Sequence, residues 1–356
     1  MKWLTDLLSK YRFSKYRQSF SDFVNNPADS VSFGSLGKKV VVITTLCTLV
    51  LLTLLGWYWS QEPKSFDIKV SHTTDTPLVT GVTTTETLIK VIDTLLDKPG
   101  GYLANDVMPP SLWIDNVPNW EFGVLVQVRD LSKAMREAFS RSQSQSTEDS
   151  DLALAEPRFN VDHQSWAVPW PEIEYADGRD YLESYKMRLL DEDNYNAQFF
   201  ARADNLRYWL RTVETRLGSL SQRLSASVGQ KRINTDLSGA IGASQSTLAP
   251  SELMVKTSWF KIDDVFYQAR GTAWALLHFL KAIEVDFADV LARKNAITSV
   301  QQIIRELEMT QQSVRSPIIA NGEGFGLIAN HSLVMASYIS RANAAIIDLR
   351  ELLSKG

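Results

Sequence analysis

The stretch FFARADNLRYWLRTVETRLGSLSQRL, residues 199–224, decides the fold class. Its apolar residues Phe199, Ala203, Leu206, Leu210, Val213, Leu217, Leu220 and Leu224 are spaced alternately by four and three. A helix repeats about every 3.6 residues, so this spacing gathers them on one narrow stripe. A strand would scatter the same residues over two faces. Trp259, Ile262, Phe266, Ala269, Ala273, Leu276, Leu280, Ile283, Phe287 and Val290 follow the same rule. So do Phe325, Ile328, Ser332, Met335, Ile339, Ala342, Ile346, Leu349 and Leu353. Seams of this kind pack as knobs into holes, at crossing angles of roughly 20°. The chain is therefore expected to be mostly α, with helices of roughly 40–50 Å in an elongated antiparallel bundle. The seams would also suit a homo-oligomeric coiled coil. Loops joining several such helices in one chain favour packing within the molecule.

Outward from these runs, a shorter helix is expected over Val300–Val314. Thr84 or Thr85 is expected to cap a helix over Glu86–Leu96, stopped by Pro99, Gly100 and Gly101. Residues 102–121 read as a loop, and Val124, Val128, Leu131, Met135 and Ala138 form the stripe of a helix after it. Flexible loops are expected near 140–157 and 228–252, where Ser, Gln and Gly are frequent. Residues 157–178, with Trp166, Pro169, Trp170 and Pro171, read as an irregular connection.

Near the N-terminus stands VVVITTLCTLVLLTLLGWYW, residues 40–59, without a charge. A helix of this length spans roughly 30 Å, the hydrocarbon thickness of a bilayer. Lys38 and Lys39 flank one end and Trp57, Tyr58 and Trp59 the other, where amphipathic rings suit the headgroup layer. A cleaved signal peptide has a shorter apolar core and a small-residue cleavage site. An uncleaved anchor is the reading taken, which makes the lipid bilayer a partner. Residues 1–39 hold seven basic and three acidic side chains, a balance of +4 in a chain of net −4, so the remainder carries −8. Positive residues stay in the cytoplasm, so the N-terminus is expected inside and residues 86–356 outside, beyond a linker at 60–85. The tail's Trp3, Leu4, Leu7, Leu8, Tyr11 and Phe13 would suit a helix lying on the inner leaflet, or a merely solvated basic tail.

The acidic balance gives no reason to expect nucleic acid. Cys47, the single cysteine, lies in the apolar stretch, so no disulfide can form in the large domain. The four histidines, His72, His163, His278 and His331, have no metal-ligand spacing, and no metal or other cofactor is called for. His278 and His331 lie beside seams and read as structural. No phosphate-binding loop or nucleophile elbow occurs, and Gly322, Gly324 and Gly326 read as a hinge opening a helix. Asn330-His331-Ser332 matches a glycosylation pattern but lies in an expected helix.

The densest polar and aromatic group is the loop at 102–121, with Tyr102, Asn105, Asp106, Trp113, Asp115, Asn116, Trp120 and Glu121. Rings beside carboxylates and amides suit a glycan, whose faces stack and whose hydroxyls need partners. Two carboxylates flanking a glycosidic bond would make a hydrolase, with Asp106, Asp115 or Glu121 as the acid. The plainer reading is a structured loop that plugs the bundle end. Asn105, Asp106, Trp113, Asp115, Asn116, Trp120 and Glu121 are the ligand-binding candidates.

Residues 98–152, and above all the words GGYLANDVMPP and VPNWEFGVLVQVRD, resemble the hallmark segment of a bacterial inner-membrane family classed as a domain of unknown function. The resemblance implies a bacterial inner-membrane location, and no activity or catalytic residue. The leading expectation is a binding or scaffold component of the cell envelope, docking a partner protein or a cell-wall component. A glycan-acting envelope enzyme and a ligand-sensing domain that signals through a membrane partner are the alternatives.

Overall fold

The computed structural model describes residues 35–68, 79–142, 147–191, 196–233, 252–316, 318–324 and 326–355. The chain divides into two units, Met1–Leu55 and Gly56–Gly356. Helix α1, Ser35–Trp59, is long and apolar enough to cross a membrane. Its Thr44, Thr48 and Thr53 hydroxyls donate to the carbonyls of Val40, Thr44 and Leu49 at 2.8, 2.9 and 2.8 Å. That back-bonding spares an apolar helix unpaired hydroxyls. The basic tail's expected helix lies outside the described residues.

The larger unit is helical: α2 Val82–Asp97, α3 Asn116–Ala134, α4 Ser150–Phe159, α5 Pro171–Leu190, α6 Ala203–Ser225, α7 Ile262–Asp286, α8 Ala288–Arg293, α9 Ile297–Thr310 and α10 His331–Ser354. A short antiparallel ladder, β1 Gln230–Ile233 with β2 Glu252–Val255, is the one sheet among the described residues. Within the helices the seams are buried: Leu206, Leu210, Val213 and Leu217 of α6 are closed to solvent, as are Ile339, Ala342, Ile346 and Leu349 of α10, whereas Trp259 and Ile328, expected in the seams, precede α7 and α10 and are exposed. These two helices run antiparallel, with Glu214 paired to Arg350 and Gly218 lying beside Asn343. α9 lies antiparallel to α10, through Glu306–Arg341 at 2.9 Å and Lys294 reaching the Lys355 carbonyl at 2.6 Å. α3 and α7 run in the same sense. Asn119 donates to Asp264 at their first turns (2.9 Å), and Phe139 meets Phe287 just past their last turns, ring centres 5.4 Å apart.

Several local expectations change. The helix expected from Glu86 begins at Val82, inside the stretch read as linker. Neither Thr84 nor Thr85 caps it. Asp286, at the far end of α7, accepts from the Thr84 amide and hydroxyl at 2.7 and 2.6 Å. A cap supplied by a residue 202 positions away leaves no local signal. Residues 150–157, read as flexible loop, and Arg158 and Phe159 of the stretch read as a connection form α4, started by Asp149, whose carboxylate accepts from the Asp151 and Leu152 amides. The stretch read as an irregular connection contains the start of α5. Its buried positions Pro171, Tyr175, Gly178, Leu182 and Tyr185 keep the four-three spacing, but Pro, Gly and two Tyr hide it. α10 starts at His331, capped by the Asn330 side chain, so the glycine group lies in the loop before it. Phe325 and most of the expected loop at 228–252 lie outside the described residues.

The described start of the linker is packed onto α7. Glu62 pairs with Arg270 at 2.8 Å, and Phe66 stacks on His278 with ring centres 3.9 Å apart. His278 is a buried structural residue, as its place by the seam indicated. Its Nδ1 faces the Trp274 carbonyl at 2.7 Å, and its Nε2 accepts from the Phe66 amide at 3.0 Å. That arrangement requires the neutral ring, and burial pushes its pKa down to about 4. In the unfolded chain the ring takes up a proton near its ordinary pKa of about 6.5. The contribution of His278 is thus complete above about pH 6.5 and is lost as pH falls toward 4. Urea unfolding at pH 7 and pH 4.5 is expected to cost the parent about 2 kcal/mol more than His278→Gln, a difference that cancels titrations elsewhere. Equal losses in both proteins would refute the assignment.

Candidate functional site

Six of the seven sequence candidates fall in three places, and Trp113 in none of them. Trp120 and Glu121 lie one turn into α3, and both are completely buried. Trp120 packs on Trp274 of α7, ring centres 5.1 Å apart. Glu121 turns back to the segment after α2. Its carboxylate accepts from the amides of Leu103 and Ala104 at 2.9 and 2.8 Å and pairs with the buried Lys98 ammonium. Lys98 also donates to the Gly101 carbonyl. Gly100 and Gly101 have φ of +90° and +72°. A Cβ on Gly100 would lie 2.8 Å from the Trp59 ring, so glycine is required there twice over. Burial pushes the Glu121 carboxyl up to about 7, against the opposing pull of Lys98 and the two amides. With every bond directed inward, Glu121 holds a loop and reaches no substrate.

Asp115 and Asn116 stand at the start of α3. Asp115 faces Asp264 and Tyr267 closely enough to raise both their pKa values, though burial is the larger cause for each. Asn116 lines a cavity of about 200 Å³ with Trp259, Ile262, Asp263 and Tyr267. Trp113 is exposed and belongs to none of the three groups.

Asn105 and Asp106 line an open groove of about 430 Å³, walled by Trp59, Trp166, Trp170, Met108, Pro109 and Ile173. The amide of Asn105 donates to both carboxylate oxygens of Glu172, at 3.0 and 3.1 Å, and to the Ser165 carbonyl at 3.2 Å. Partial burial pushes the Asp106 carboxyl up, opposed by a hydrogen bond from Ser111. Asn105 and Asp106 are thus brought together, with Glu172 beside them. Glu172, Trp166 and Trp170 were missed because they lie some 60 residues away in the stretch read as a connection. The run Pro169-Trp170-Pro171, with Trp166 before it, was the only available sign. Among the described residues no group of His, Cys, Asp and Glu side chains is placed to hold a metal.

A protein of this class is a predominantly helical domain joined to one N-terminal apolar helix, with a tryptophan-walled groove. The chain belongs to the family described as "Uncharacterized protein conserved in bacteria (DUF2333)", whose model matches residues 34–356. No curated protein and no solved structure matches it.

Proposed function

We propose that this protein is a binding or scaffold component of the bacterial cell envelope. α1 anchors it in the inner membrane with the N-terminus in the cytoplasm, and the helical domain stands in the periplasm. The observation that carries the binding role is the groove. Three indole rings face open space beside an amide and two carboxylates, the arrangement that accepts a sugar ring on its face and its hydroxyls at its edge. The ligand class is the saccharide of a cell-wall component. Glu121, a carboxyl whose pKa burial pushes up, is committed to the loop, which favours holding a ligand over cleaving it.

The full chain in detergent micelles, titrated with disaccharide-peptide fragments of cell wall, is expected to change its tryptophan emission saturably. Trp170→Ala and Asn105→Ala are each expected to weaken binding about tenfold, the loss of roughly 1.4 kcal/mol. No saturable change in the parent at millimolar fragment would end this reading. A second reading, glycan hydrolysis, draws on Asp106 and Glu172 sharing the groove. Release of reducing ends by the parent and not by Asp106→Asn would establish it in place of simple binding.

A further inference from the structure

We propose that the end of the domain where the chain leaves α1 is a second membrane-contacting surface, with apolar side chains of three loops seated in the headgroup layer of the same bilayer. The inference rests on α1 being a span; Met108 and Trp166 also wall the groove, whereas the probe positions Val168 and Phe260 lie outside its lining.

Three loops meet at this end. The loop before α3 touches the start of the domain: a Cβ on Gly56 would lie 3.3 Å from the Pro110 side chain and 3.9 Å from Ile114. The loop before α5 is tied to it by the bonds of Asn105 to Glu172 and to the Ser165 carbonyl. The turn before α7 joins them because α3 and α7 start side by side, Asn119 on Asp264. Their tips expose Met108 (72%), Trp113 (57%), Trp166 (70%), Val168 (84%), Trp259 (62%) and Phe260 (85%). Among the described residues, the exposed tryptophans outside α1 and the single exposed phenylalanine all lie in these loops. Where α5 ends, away from these loops, the exposed apolar residues include Met187 and Leu190, and the exposed ring beyond the last turn of α3 is Tyr208, on Glu137.

Large exposed rings cost solubility unless something covers them. The chain itself names the cover. Gly56 and Trp59 lie against the loop before α3 and are residues by which the chain leaves the apolar helix, so the chain's exit from a bilayer crossed by that helix belongs to this end of the domain. Indole and phenyl rings suit the headgroup boundary, where an apolar body can be buried and a polar edge stay wet. Asp106, Asp115, Asp263 and Asp264 share this end, so the contact is apolar and not an attraction to anionic lipid.

The test uses the full chain with Cys47→Ala, reconstituted in phosphatidylcholine vesicles. Nitroxide labels are attached at Val168→Cys, Phe260→Cys, Met187→Cys and Leu51→Cys in turn. Collision with oxygen, which concentrates in lipid, is compared with collision with a water-soluble nickel chelate. Positions 168 and 260 are expected to favour oxygen several-fold more than position 187, in the sense shown by position 51, with no change at high salt. If 168 and 260 match 187 while 51 reports lipid, the seating surface is refuted and the span stands. If 51 also reports water, the span fails and the proposal with it. Labels at 168 and 260 shielded from both probes would mean a protein surface covers this end, which also overturns it.

Discussion

Glu121→Ala is expected to destabilise the helical domain by about 3–5 kcal/mol, the range for removing one partner of a buried ion pair. The substitution leaves the Lys98 ammonium without its counter-charge and the Leu103 and Ala104 amides without an acceptor, all in a site closed to water. Lys98→Met is expected to cost less. The remaining carboxyl, already pushed up to about 7, can take a proton and stay buried as a neutral acid. Deleting the acid strands three donors, whereas deleting the base strands one acid that has a neutral form. Urea midpoints followed by tryptophan emission provide the comparison, since Trp120 adjoins the site. Equal costs for the two substitutions would contradict the asymmetry. A carboxyl whose folded pKa is raised binds more protons folded than unfolded between its ordinary value and about 7. Its contribution therefore fades as pH rises through that window, and the deficit of Glu121→Ala is expected to widen as pH falls from 7.

Gly271→Ala is expected to cost about 3 kcal/mol, the upper part of the range for overpacking a core. α3 and α7 make the most extensive helix contact in the domain, and they cross backbone to backbone. A Cβ on Gly271 would lie 2.8 Å from the Trp120 carbonyl carbon and closer still to its oxygen. A Cβ on Gly123, the facing glycine, would lie 2.8 Å from the Thr272 nitrogen and closer to the Gln268 carbonyl oxygen. Backbone of two helices cannot give way as a side-chain tip can, so the added methyl must push them apart. Gly326→Ala, where a Cβ meets nothing within 4 Å, is the matched control and is expected to leave the urea midpoint unchanged. A Gly271→Ala protein as stable as the control would show that the contact is looser than its geometry.

Much of the architecture was legible because it depends on periodicity. The seams of α6, α7 and α10 are repeated local choices of residue, and the helices bury the stripes their spacing defines, save at the ends, where Trp259 and Ile328 are exposed. Capping was less legible. Asp149 and Asn330 cap their own helices, but α2 is capped by Asp286 from another helix, and only packing brings those two together. α5 went unseen for a different reason. Its seam is filled by Pro, Tyr, Gly, Leu and Tyr, and a glycine there reads as a break until the Phe159 ring is seen against it.

By itself, then, the sequence determined the α class, the positions of the long seams and the one uncharged N-terminal stretch, since each is written in neighbouring residues and the repeat of a helix. Tertiary structure alone decided where the polar and aromatic residues of 102–121 go. It turned Glu121 inward, left Trp113 in the open, and joined Asn105 and Asp106 to Glu172 and two tryptophans from a distant loop. It also set α3 and α7 side by side in the same sense, by way of two facing glycines. A side chain's direction, and its company across more than 60 residues, follow from how helices pack, and packing is a property of the whole chain.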